Sequence, residues 1–164
     1  MFNSVTYFKA IAISLKDLLH TEEDKHFHRI SALSELEEFI ANSRTISGYQ
    51  LLVLDKYNGK LDDSSISDNL LDRNFHTFYI LKKAASGNFS DIETVNAGCL
   101  AVSKKIISQM FKDKWDCINE LKDLQRSSFT YSSIGPLAHG YYGIMVSFSS
   151  LNTAGIIYNV NDWL

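Results

Sequence analysis

Residues 90–115 read SDIETVNAGCLAVSKKIISQMFKDKW, and the spacing of their apolar side chains decides the fold. Ile92, Val95, Cys99, Val102, Ile106 and Met110 recur at steps of three and four, which places them on one face of an α-helix. Leu100, Ile107 and Phe111 widen that stripe. Ser90 and Glu93 have capping-box spacing, so the helix is expected to begin near Asp91. Lys104, Lys105 and Lys112 fall toward its C-terminal half, where cations favour the helix dipole. Trp115, Ile118 and Leu121 either continue this helix or open a second, shorter one. A stripe this wide has to be covered, and the flanking sequence supplies strands to cover it.

Upstream, Val5, Phe8, Ala12, Leu15 and Leu19 mark one face of an N-terminal helix that the polar stretch TEEDK ends. FHRI reads as a short strand. Ser31 or Ser34 then caps a second helix: Ser34 and Glu37 have capping-box spacing, while Leu33, Leu36 and Ile40 allow a slightly earlier start. After a break at SRTISG, YQLLVLDKY reads as a strand closed by a turn at Asn58-Gly59. Its run from Leu51 to Leu54 is apolar without alternation, as in a strand covered on both faces. LDDSSISDNLLD is expected to be an exposed loop or a short helical turn. FHTFYILKK returns to strand composition, antiparallel to the previous strand if that loop folds back.

Downstream the period changes from helix to strand. Phe129 and Tyr131 alternate with polar neighbours, and Gly135-Pro136 breaks the run. Tyr142, Ile144, Val146 and Phe148 then alternate with Gly143, Met145, Ser147 and Ser149, which predicts one buried face and one small, polar face. Asn152 to Gly155 is a turn candidate, and IIYNV is a candidate final strand. With no internal repeat and no linker, residues 1–164 read as a single α+β domain: a mainly antiparallel sheet packed against a long amphipathic helix and an N-terminal helical region.

Composition narrows the functional classes. A chain of 164 residues can bury roughly 70% of its unfolded surface without a metal or disulfide. A hydrophobic fraction of 45% and a charged fraction of 21% are ordinary for a globular protein. The net charge of −3 provides no general attraction for phosphate backbones. The N-terminal stretch is interrupted by Lys9 and Lys16 and lacks a basic leader and a cleavage site, so it reads as part of the mature protein. No segment approaches the roughly 20 apolar residues that span a bilayer. Cys99 and Cys117 have no partner motif, which suits a reducing compartment.

Each candidate chemistry has a plainer explanation. His26 and His28 form an H-x-H pair that on a strand points both rings to one face and could supply two metal ligands; a third would have to come from His20, His76, Asp24 or a distant residue. The spacing matches no zinc signature, so surface histidines are expected. Cys99 with His76 or His139 as base would make a nucleophile, yet Cys99 lies mid-helix on the apolar stripe, where packing accounts for it. Cys117 is more accessible but no better partnered. Asp62, Asp63, Asp68 and Asp72 lack the Gly and Glu of a calcium loop. Neither a G-x-S-x-G elbow nor a glycine-rich phosphate loop occurs. No catalytic, cofactor-binding or metal-ligating residue is therefore assigned, and the chain is not expected to be an enzyme. The aromatic residues Tyr131, Tyr141, Tyr142, Phe148, Tyr158 and Trp163 divide between core and interface.

The element order, together with GPLAHGYYGIMVSFSSLN ahead of a C-terminal strand and the closing DWL, resembles the tail terminator or head-to-tail connector proteins of tailed phages. The helix around Leu33 to Ile40 is an addition to the simplest members of that group. The resemblance implies a virion structural protein, assembled in the host cytoplasm, that forms a homo-oligomeric ring against portal, connector or tail subunits. It also implies passive passage of DNA through the ring. A ring repeats one heterologous contact and needs patches on two sides of the domain. The 60–72 loop and the final strand are the expected patches. A non-enzymatic intracellular adaptor is the competing reading, and a small enzyme using Cys99 or the H-x-H pair is a third.

Overall fold

The computed structural model describes residues 2–42, 47–62, 70–85, 87–118 and 121–154. In chain order the elements are α1 (Ser4–Ser14), β1 (Phe27–Ile30), α2 (Leu33–Asn42), β2 (Gln50–Leu54), β3 (Gly59–Asp62), β4 (Leu71–Lys83), α3 (Phe89–Trp115), β5 (Thr130–Leu137) and β6 (Tyr141–Thr153). Short 3-10 turns precede and follow β5. The strands form a six-stranded sheet in the order β1-β2-β4-β6-β5, with β3 also paired to β4. Among the described residues only β1 and β2 run parallel, and the other pairings are antiparallel. The mixed α+β class, the mostly antiparallel sheet and the helix packed on it are as the sequence led us to expect.

The sheet is organised by β4 and β6, which pair without interruption from Leu71↔Thr153 to Lys83↔Tyr141. On the other edge of β4 lie β2 and β3, end to end. Leu54 pairs with Thr77 and Gly59 with Asn74, so residues 55–58 stand opposite only Phe75 and His76. The bulge is pinned where Phe75 N–H donates to Asn58 O at 2.7 Å. The expected turn at Asn58-Gly59 is thus a bulge after which the chain keeps its direction. Gly59 fits closely there: a Cβ would stand 3.0 Å from Arg73 O and from the Asn74 side-chain oxygen. The acidic stretch contributes Leu61 and Asp62 to β3 and Leu71 and Asp72 to β4; residues 63–69 lie outside the described residues.

On one face of the sheet, Leu51, Val53, Phe78, Ile80, Ile144, Val146 and Phe148 pack against Phe8, Ile11 and Ala12 of α1 and the α3 stripe. Val95, Cys99, Val102, Ile106 and Met110 are buried as the periodicity implied. Fully burying side chains such as Phe8, Phe78 and Phe148 contributes about 2 kcal/mol each. Tyr7 Oη donates to Asp113 Oδ2 at 2.6 Å, and Gln109 Nε2 donates to Asp113 Oδ1 at 2.6 Å, so a buried carboxylate fastens α1 to the last turn of α3.

The opposite face is not merely small and polar. Leu52, Tyr79, Leu81 and Tyr141 form a second core there with Ile30 and with Leu36 of α2. Leu51 and Val53 therefore serve one core and Leu52 the other, which explains the unbroken apolar run of β2.

Several boundaries differ from the expected ones. The α1 helix stops at Ser14, and Leu19 lies outside it with a φ of 50° and 58% exposure. The α3 helix starts at Phe89, not beside Ser90, because the Asn88 side chain accepts the Asp91 N–H at 3.2 Å. The Asp91 carboxylate meanwhile accepts from Ala85 N–H at 2.5 Å. For α2, the bonded pair is the Ser31 N–H and Glu35 Oε2 at 2.6 Å. The long helix ends at Trp115, Cys117 takes a φ of 54°, and Leu121 is buried beyond the bend while Ile118 is exposed. In β5 the register shifts between Ile134 and Leu137, across the cis Gly135-Pro136 peptide. Asn152 and Thr153 belong to β6, and IIYNV lies outside the described residues.

Candidate functional site

Two features bring polar side chains together: a histidine cluster at β1 and a cleft beside the β2–β3 bulge.

The histidine cluster starts from the turn after α1. His20 N–H donates to Ala12 O at 3.0 Å, which turns the His20 ring toward β1. Its Nδ1 accepts the backbone N–H of His26 at 3.0 Å and of Phe27 at 3.3 Å. His26 Nε2 lies 3.1 Å from Asp24 Oδ2. His28 Nε2 lies 3.2 Å from two oxygens, Lys25 O and Gln50 Oε1, and so carries the proton. The Gln50 side chain, fully buried, spans the pair: its Nε2 sits 2.9 Å from His26 Nδ1 while its Oε1 faces His28. The ring of His28 packs on Phe39 with centroids 4.1 Å apart. Burial lowers the His28 pKa, partly offset by the bond to Gln50. His26 is buried and so is His20, which corrects the expectation of surface histidines. Among the described residues no group of three or more His, Cys, Asp or Glu side chains is arranged to hold a metal ion.

The cleft, about 530 Å³, opens between the first turn of α1 and the bulge. Arg29 and Asp55 form an ion pair at its rim. Its floor carries His76, whose Nε2 lies 3.1 Å from Ser150 Oγ, with Phe2 edge-on and Phe148 stacked at 5.1 Å each, the two phenyl rings 6.1 Å from one another. Burial pushes the His76 pKa down to about 4, so the ring is neutral at pH 7.

Cys99 is fully buried, with Sγ 4.0 Å from Tyr142 O, and burial pushes its thiol up to about 12. Tyr142 pairs near the Lys82 end of the ladder and His76 near its middle. Six residues of strand, roughly 20 Å, therefore separate the proposed thiol and base. His139 is exposed on the 3-10 turn after β5 at a φ of 57°, and no hydrogen bond joins it to Cys99. Cys117 is exposed. Of the acidic set, Asp62 is taken by Arg73 at 2.7 Å and Asp72 accepts from Asn74 at 3.3 Å, while Asp63 and Asp68 lie outside the described residues.

Of the aromatic set, Phe148 and Tyr141 are core, Tyr142 is half-buried, Tyr131 is 57% exposed, and Tyr158 and Trp163 lie outside the described residues. Sequence reasoning missed the most exposed aromatics, Trp115, Tyr57 and Phe89. Trp115 fell in phase with the helix, which hid its exposure. No helix among the described residues is long and apolar enough to cross a membrane. No protein-family model, curated protein or solved structure matches the chain.

Proposed function

We propose that the chain is a virion structural protein, the subunit of a ring at the head-to-tail connector or tail terminus of a phage. One observation carries this reading: among the described residues β5 is the last strand of the sheet, and its exposed run TYSSIGPL contains no charged residue. An open edge presents backbone groups ready to pair, and proteins that stay monomeric usually blunt such edges with a charge, a Pro or a bulge; the stretch Thr130–Ser133 has none of these, the bulge and Pro136 lying beyond Ile134. Strand addition at this edge is a ready mode of assembly. The cleft beside β1 and β2 lies on the other side of β6 from β5, so the domain has two different surfaces for a repeated head-to-tail contact. The resemblance in element order supports the same reading.

The 530 Å³ cleft favours a second reading, a binding module of a cellular pathway. Mass photometry and negative-stain imaging of the purified chain, alone and with portal, connector and tail proteins, separate the two. Closed rings, or stoichiometric incorporation into such a complex, are expected. A strict monomer that joins none of those proteins overturns the proposal. Ser132→Lys, which charges the β5 edge, should lower the assembled fraction at least tenfold.

A further inference from the structure

The other end of the sheet is guarded. The β1 strand meets β2 through His26 O and Ile30 O, which accept from Leu51 N–H and Asp55 N–H at 2.8 Å each. Backbone groups alternate in direction along a strand, so Phe27, Arg29 and Ser31 turn theirs to the outer edge. Side chains occupy two of those positions. Glu35 Oε2 takes the Ser31 N–H at 2.6 Å, and His20 Nδ1 takes the Phe27 N–H at 3.3 Å along with the His26 N–H at 3.0 Å.

We propose that His20 is an acid-sensitive fastener: the neutral imidazole holds the segment after α1 against β1 and closes that strand's outer edge, and a second ring proton releases both. An imidazole nitrogen accepts hydrogen bonds only through its lone pair. Once Nδ1 is protonated it becomes a donor facing two backbone donors, and both N–H groups, on the buried residues His26 and Phe27, lose their partner.

The surroundings make the charged ring costlier still. Burial lowers the His20 pKa, and Lys9 from α1 lowers it further. Glu22 opposes them, yet it is shared with Lys9 at 3.6 Å. His26 and Lys25 on the β1 side also lower it, and Asp24 is engaged by His26 at 3.1 Å. The folded value therefore lies below the unfolded value of 6.5, and the folded state binds fewer protons. The fastening is complete above that pH and is lost progressively below it.

Two-dimensional NMR of the wild-type chain tests this, and its readout of single amides does not depend on ring formation. At pH 7.5 His20 should carry its proton on Nε2. Between pH 7.5 and 5, protection factors of the His26 and Phe27 amides should fall at least tenfold relative to those of Ile80 and Ile144. In His20→Leu the two amides should be poorly protected at both pH values. A proton on Nδ1 at pH 7.5, unchanged protection of the two amides on acidification, or the wild-type pH dependence persisting in His20→Leu overturns the proposal.

Discussion

Acid should weaken the fold through His76, and the size of the effect can be worked out. The ring packs against Phe2 and Phe148, with Ser150 Oγ as its polar partner, and burial lowers its pKa from 6.5 to about 4. A base whose folded pKa is depressed binds fewer protons when folded, so its contribution is present above the unfolded value and drains away as pH falls through it. A shift of roughly 2.5 units at 1.36 kcal/mol per unit bounds the effect at about 3 kcal/mol. Integrating between the two values, about 2 kcal/mol is lost from pH 7 to pH 5 and about 3 kcal/mol from pH 7 to pH 4. Because carboxylates and the other histidines titrate in the same range, the test is a difference. Urea unfolding of wild type and His76→Phe, which keeps the ring packing without the titrating group, should be compared at pH 7, 5 and 4. The wild type should lose about 2 kcal/mol more than the variant by pH 5. Parallel pH profiles for the two proteins would refute the reasoning.

A Cβ on Gly143 would stand 2.0 Å from Ile80 O, a backbone atom in the paired β4 strand that no rotamer change can move. Gly143→Ala should therefore destabilise the chain by about 3 kcal/mol or more, read as a fall in the urea midpoint; an unchanged midpoint would contradict the packing of β6 on β4. In the folded state at pH 8 a thiol reagent should label Cys117 within minutes and leave Cys99 unmodified until denaturant is added, since the Cys99 thiol is buried and held up to about 12. Mass spectrometry of the labelled protein checks this.

The long helix was legible because its stripe repeats over many turns, so that a local rule and tertiary burial agree. The β2 run from Leu51 to Leu54 was legible for a similar reason, as only a strand between two cores tolerates it. The end of α1 was not. Leu15 and Leu19 stay in phase with the helix, yet the chain leaves it at Ser14 so that Leu18 can be buried and His20 can reach β1. The β3 strand was hidden because GKLD is short, mostly exposed and without apolar alternation; its pairing with β4 comes from position in the sheet. At the histidine cluster, the H-x-H spacing correctly put both rings on the Gln50 side. Burial of the pair depends on Gln50, 22 residues beyond His28 in the chain, and on Phe39 of α2, which no local pattern announces. The edge caps were invisible for the same reason, since His20 and Glu35 act on backbone groups.

The bulge between β2 and β3 carries a register constraint. Four residues stand opposite two, so the offset is an even number and β3 resumes in phase with β2. In that phase Asp62 shares a face with Arg73, which binds it at 2.7 Å. A one-residue slip of β3 along β4 would turn Asp62 toward the side of the sheet that holds the aromatic core and part it from the Arg73 guanidinium. A change of length at residues 55–58 is therefore tolerated where the bulge absorbs it and Lys60 stays opposite Arg73, as the odd bulge in β5 keeps Ile134 and Leu137 against the same core.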